Sequence, residues 1–248
     1  MKRIILALMM LFDVTASLHA QTAQEIIAKA EELIRGKTSK GTFEMTVVTP
    51  EFTRTLTMDS WWVGEQKSLV VVKSPAKEAG NKWLKIGNEM WNYLRATETT
   101  IKIPPSMMLQ SWNGSDFSND DLARESSLSK DYTASLVGNE MANGDSCWKL
   151  ALIPKPEAPV VWGKLYVWVR HRDLLPSVEE FYDEKGTLVR YLVYSDVRKT
   201  GGRTIPTVWT MFNKAKPGHQ TEFKILDISF DVPIPDRVFS LRELERGN

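Results

Sequence analysis

Side chains able to make or break bonds are sparse in this 248-residue chain, which holds three histidines and one cysteine. His19 falls in an N-terminal segment that reads as a removable leader, which leaves His171 and His219. No His-Glu-x-x-His pair, Cys-x-x-Cys pair, Gly-x-Ser-x-Gly elbow or phosphate-cradling glycine loop occurs. Zinc wants three or four ligands, so two histidines and Cys147 predict neither a metal site nor a cofactor. His171, between Arg170 and Arg172, reads as a solvated turn residue, and Cys147 as a buried, inert thiol. Acid–base work would fall to carboxylate pairs, and each pair has a plainer reading. Glu179 and Glu180 are adjacent on a strand and face opposite ways, and Asp183-Glu184-Lys185-Gly186 is a hairpin turn. Asp120 and Asp121 follow Ser118 as the acidic first turn of a short helix. The oxygens of Asp116, Asn119, Asp120 and Asp121 lack the spacing of a calcium loop. A protein without catalysis is expected.

The richest stretch is residues 104–122, where Met107, Met108, Leu109, Trp112 and Phe117 sit on a helix-like insert between strands. Methionine is unbranched and polarizable, so it repacks around flexible hydrocarbon where a β-branched side chain would clash. The competing reading makes Met107, Met108 and Leu109 ordinary core. Pro104-Pro105 discourages continuation of the preceding strand and Gly114 permits a sharp exit, so a discrete lid hinged at both ends is expected.

Around this insert the elements follow from periodicity. Lys2 and Arg3 precede an apolar run from Ile4 to Phe12, and the segment closes on Ser17-Leu18-His19-Ala20. These are the parts of a secretory signal, predicted to span residues 1–20 and followed by one domain over residues 21–248. The run is shorter than the roughly 20 residues needed to span a bilayer, and no Cys follows the cleavage point to take a lipid, so an unanchored periplasmic protein is expected. Thr22-Ala23-Gln24-Glu25 is a capping box, and Ile26, Ile27, Ala30, Leu33 and Ile34 recur at helical spacing up to Gly36, which predicts a helix over 23–35.

Strands are predicted at 41–49, 53–63, 67–73, 82–87, 89–95, 99–103, 131–138, 145–153, 163–170, 177–183, 187–197, 204–213 and 220–230. Such a meander can stack as two sheets or curl as one, and a lone long helix with a central insert favours curling. The class expected is mainly β (α+β): a single curved antiparallel sheet forming a half-open barrel. Eight of the nine tryptophans lie on or near the strands, which suits a wide lumen as well as a large core. Loss of Lys2, Arg3 and Asp13 with the leader brings the formal charge of +1 to zero, and no basic run is present. Nucleic acid is therefore not an expected partner.

Three runs carry a resemblance: Trp83-Leu84-Lys85-Ile86-Gly87-Asn88-Glu89-Met90-Trp91-Asn92-Tyr93-Leu94, then Thr100-Ile101-Lys102-Ile103-Pro104-Pro105-Ser106-Met107-Met108, then Gly114-Ser115-Asp116-Phe117-Ser118-Asn119-Asp120-Asp121-Leu122. In order and spacing they resemble the periplasmic outer membrane lipoprotein-sorting proteins of the LolA-like family. Lys73-Ser74-Pro75-Ala76-Lys77 and Tyr182-Asp183 extend the likeness, while Arg95 and Asn113 stand where the family pattern has Pro and Met. The resemblance implies a half-open barrel with the N-terminal helix packed across it, a helical lid, and a hydrophobic cavity that takes acyl chains. On that reading the protein is a carrier that binds acyl chains of lipoproteins or lipids and ferries them toward the outer membrane, between an inner-membrane export transporter and an outer-membrane acceptor. The expected lining is Phe43, Met45, Leu56, Met58, Trp83, Met90, Trp91, Ile101, Ile103, Met107, Met108, Trp112 and Phe117. Met90 and Trp91 are neighbours on a strand and face opposite ways, and both are carried as candidates. The alternative is a periplasmic sensor of lipid or lipoprotein with the same fold, partnered by a membrane-bound regulator.

Overall fold

The Thr22 hydroxyl accepts from the Glu25 amide while the Glu25 carboxylate accepts from the Thr22 amide, so helix α1 (Ala23–Arg35) starts where the capping box places it. Gly36, at φ 70°, ends it. The computed structural model describes residues 21–123, 127–158 and 160–246, and the predicted leader at 1–20 lies outside them. After α1 come β1 (Thr38–Val48), β2 (Thr53–Val63), β3 (Lys67–Ser74), β4 (Lys82–Ile86), β5 (Glu89–Leu94) and β6 (Thr99–Lys102). The insert follows, with two short 3₁₀ turns at Pro105–Met107 and Trp112–Gly114 and the helices α2 (Asn119–Ala123) and α3 (Leu128–Asp131). The second run of strands is β7 (Tyr132–Ala142), β8 (Asp145–Pro154), β9 (Lys164–Arg170), β10 (Pro176–Tyr182), β11 (Leu188–Thr200), β12 (Arg203–Asn213) and β13 (Gln220–Phe230), and α4 (Leu241–Glu245) closes the order. Each predicted strand is present, with ends shifted by a few residues.

All thirteen strands join one antiparallel sheet in the order β6-β5-β4-β3-β2-β1-β13-β12-β11-β10-β9-β8-β7. The first and last strands pair at its middle, and all other consecutive strands except β6 and β7 are hairpin neighbours. The two edges, β6 and β7, are joined only through the insert, which must therefore pass from one rim of the curved sheet to the other. At the central seam β1 and β13 approach so closely that a Cβ on Gly41 would stand 2.3 Å from the Asp227 carbonyl oxygen. A side chain there would force the strands apart.

Alternation sorts the side chains into an inner and an outer face. One inner row runs Leu150, Val167, Glu179, Leu192, Met211, Thr221, Val47 across seven strands, and another runs Trp209, Phe223, Met45, Leu56. Helix α1 lays Ile26, Ile27 and Ala30 on the inner face of the β7–β13 half, against Leu150, Leu152, Leu165, Val167 and Met211. The insert covers the inner face of the β1–β6 half: Met108 and Trp112 pack among Met45, Leu56, Met58, Val70, Val72, Trp83 and Met90. The outer face of that half is covered too, by Phe239 and Leu244 of the C-terminal segment on Leu69, Val71, Leu84 and Tyr93. Lys82 fastens the segment, donating to the carbonyls of Glu243 and Arg246 at 3.1 and 2.6 Å.

Candidate functional site

A chain of rings crosses the concave side. Trp83 meets Trp112 edge-on at 5.1 Å, Trp112 stacks with Phe223 at 6.1 Å, and Phe223 meets Phe117 edge-on at 4.9 Å. Trp112 is thus wedged between β4 on one side and β13 on the other, with the insert as its backbone. Beside this wedge, between α1 and the inner face, lies a cavity of about 280 Å³. Its wall is mostly apolar: Phe43, Met58, Trp62, Trp112, Phe117 and Phe223 from the β1–β6 half, the insert and β13, and Phe181, Leu192, Trp209, Met211, Ile225 and Ile228 from the other half.

Of the residues expected to line a cavity, Phe43, Met58, Trp112 and Phe117 do so. Met45, Leu56, Trp83, Met90 and Met108 are on the same inner face but are buried in the packed layer beneath the insert, with Ile103 against its edge. Two expectations need correction. Trp91 points to the outer face, into the cluster under the C-terminal segment, because Met90 takes the inner face and neighbours on a strand alternate. Ile101 is on the inner side opposite Asn92, but on the short edge strand β6, where it is 41% exposed and outside the packed clusters. Met107 is half-buried and Leu109 exposed, so Met108 is the methionine that the insert sinks into the sheet.

The insert is also held by polar ties. Arg54 of β2 donates to the Asn113 carbonyl and pairs with Glu78 at 3.2 Å. Asn113 itself adopts a left-handed conformation (φ 47°) just before Gly114 (φ 73°), which makes the sharp exit expected there. On the far side Arg190 of β11 grips the Asp121 carboxylate through both nitrogens, at 2.7 and 2.5 Å, and donates to the Asp116 carbonyl at 3.1 Å. The Asp116 carboxylate accepts from Thr221 at 2.9 Å and from Asn213 at 3.2 Å. Burial alone would raise the Asp121 carboxyl, yet the Arg190 guanidinium and its hydrogen bonds hold it below the ordinary carboxylate range. A hinge at each end of the whole insert is thus only half of the picture: residues 116–121 are riveted to β11, β12 and β13. The span from Pro104 to Trp112 packs on the sheet and is hydrogen-bonded to them, the Trp112 amide donating to the Phe117 carbonyl at 2.7 Å, that of Asp120 to the Met108 carbonyl at 2.7 Å and that of Asn119 to the Gln110 carbonyl at 3.0 Å.

Sequence reasoning passed over Glu179. It does face away from Glu180, which receives the Tyr182 hydroxyl on the outer side at 2.7 Å. Glu179 points inward, is 7% exposed, lines the cavity and accepts from the Tyr194 hydroxyl at 2.8 Å. Burial pushes its carboxyl up to about 7, against the hydrogen bond from Tyr194 and the attraction of Arg35. The available signal was its position two residues before Phe181, on the buried face of a strand. Among the described residues no group of three or more His, Cys, Asp or Glu could hold a metal ion, and no helix is long and apolar enough to cross a membrane.

A protein-family model described as that of an uncharacterized protein matches residues 64–246, well over half of the chain. The chain belongs to the family that this model describes. A DUF1329 family protein from Desulfovibrio piger superposes with a TM-score of 0.81 at 23% identity, over 90% of this chain and 97% of the other. A LolA superfamily protein from Nitrosomonas europaea gives 0.75 at 23% identity, over 90% and 100%. A domain assigned to outer membrane lipoprotein sorting in Vibrio parahaemolyticus gives 0.79 at 22% identity, over 90% and 98%. At these identities the likeness is one of fold, and this chain has the LolA-like open barrel. No curated protein matches the sequence.

Proposed function

We propose that the protein is a non-catalytic periplasmic carrier that takes acyl chains of lipoproteins or lipids into the cavity between α1, the insert and the inner face of the sheet. The observation that carries this reading is the cavity itself, whose wall of aromatic and aliphatic side chains suits hydrocarbon. Each methylene moved there from water contributes about 0.8 kcal/mol, so one long chain supplies ample transfer energy. At about 280 Å³ the cavity falls near the small end of the roughly 300–1,000 Å³ typical of small-molecule sites. A longer chain or a second one requires the Pro104–Trp112 span to lift and to break its hydrogen bonds to residues 117–120, since the 116–121 segment is fixed by Arg190 and Thr221. Lifting exposes the apolar surface beneath Met108 and Trp112, and that cost lowers net affinity and permits release to an acceptor. In this reading an inner-membrane export transporter loads the carrier and an outer-membrane acceptor unloads it.

Titration of the purified protein with a fluorescent fatty acyl probe tests the reading. Saturable binding in the micromolar range, with a shift in emission from Trp62, Trp112 and Trp209, and displacement by a diacylated lipoprotein N-terminal peptide, is the expected result. Absence of saturable binding overturns it.

A further inference from the structure

We propose that Glu179 and Tyr194 form the polar end of the cavity, a subsite for an amphiphile whose head donates hydrogen bonds: a primary amine or a hydroxyl on an alkyl chain. The inference rests on the acyl-binding reading above and adds the chemistry of the head.

Glu179 interrupts an otherwise apolar inner row, between Val167 on β9 and Leu192 on β11, and it is more than nine-tenths buried where it meets the cavity. A carboxylate offers about four acceptor positions, and among the described residues the Tyr194 hydroxyl is the single donor whose bond to it is within hydrogen-bond distance. A packed core would gain by replacing such a group with an apolar one, because a buried acceptor without its full set of donors costs stability. Its position on the cavity wall leaves that capacity to a guest.

The charges around it select the guest. Glu31 and Arg35 on the last turns of α1 lie 3.9 Å apart, and Asp121 is neutralised by Arg190. Among the described residues at this end those two pairs balance, so an ionised Glu179 leaves a net negative charge, which repels a carboxylate or phosphate head and attracts an ammonium. Its Tyr194 partner, whose proton is held tightly by burial and by the neighbouring carboxylate, stays a donor to Glu179 and does not compete as an acceptor of charge. Because the Glu179 carboxyl titrates near 7, facing Tyr194, Arg35, Glu31 and Arg190, an incoming ammonium also draws it into its ionised form.

Four probes of equal chain length test the subsite: decylamine, decanol, decyl methyl ether and decanoate, each titrated into the purified protein by calorimetry and Trp emission. At pH 8 decylamine and decanol should bind at least about tenfold tighter than the ether, the scale of one hydrogen bond to a charged acceptor, with decanoate weakest. Decylamine affinity should rise from pH 6 to pH 8. The ratio of amine to ether affinity should collapse in Glu179→Gln and persist in Tyr194→Phe, while the wild-type comparison and its pH dependence decide the matter even if the Gln variant folds poorly. Four probes within about twofold of one another, or decanoate binding tightest, overturn the head subsite and leave the alkyl cavity standing. Failure of all four to bind overturns both.

Discussion

The six strands before the insert and the seven after it belong to one sheet, yet their inner faces are filled differently. Under β1–β6 the insert sinks Met108 and Trp112 into a solid layer, and the outer face is sealed by Phe239 and Leu244, so β3 is buried on both sides. Under β7–β13 the cover is α1, a rigid rod that touches the curved sheet along Ile26, Ile27 and Ala30 and leaves the cavity beside its last turns. The outer face of that second half carries rings and cations in alternation, with Lys149 over Tyr166 and Trp168, and Lys164 over Tyr166 and Tyr182. Irregular chain can follow a concave surface and fill it, whereas a straight helix cannot. Room for a guest therefore remains where the helix is the cover, in a cavity walled by strands of both halves.

Cutting the tie between the halves should have the largest effect. Arg190→Ala removes the partner of Asp121 and a donor to Asp116, leaving a partly buried carboxylate uncompensated. A loss of about 3–5 kcal/mol is expected in denaturant melts. Hydrogen exchange should show residues 116–121 loosening first; uniform loosening of α1 instead would place the rivet elsewhere.

The polar end of the cavity should show itself in the pH dependence of stability. The Glu179 carboxyl is raised from an ordinary 4.5 to about 7, so between those values the folded protein holds a proton that the unfolded chain has released. Its contribution is full below 4.5 and is lost as the pH rises through 7, a difference on the order of 3 kcal/mol. Glu179→Gln should flatten that fall between pH 5 and 8, and an unchanged slope would show that another group governs it. Asp121 acts in the opposite sense: its carboxyl lies below the ordinary range, so its stabilisation is present above that range and lost as the pH falls through the lowered value.

A smaller effect separates filled from unfilled ground. Leu56→Phe overpacks the solid layer and should cost about 1–3 kcal/mol. Leu192→Phe projects into the cavity and should cost less while weakening acyl-probe binding. Equal costs, with probe binding untouched, would erase the distinction between the halves.

Local chemistry alone settled much of this molecule. The capping box and helical spacing set α1, and alternation and turn residues set the strands, because each depends on contacts between residues close in sequence. The insert at 104–122 was legible as a break in that pattern, and its Met108, Trp112 and Phe117 as the side chains that meet the sheet. Alternation, however, separates two faces without saying which is concave. Both Met90 and Trp91 therefore stood as candidates although only Met90 faces inward, and nothing in the pattern told Glu179 from Glu180. Pairing of β1 with β13 brings residues near the two ends of the described chain to the middle of the sheet, and sequence periodicity carries no record of so distant a register. That pairing makes β6 and β7 the two rims, sends the insert across the opening, and sets Phe223 against Trp112. The cavity and its buried carboxyl exist only in that arrangement: their walls come from α1, the insert and strands of both halves, which meet once the sheet has curled.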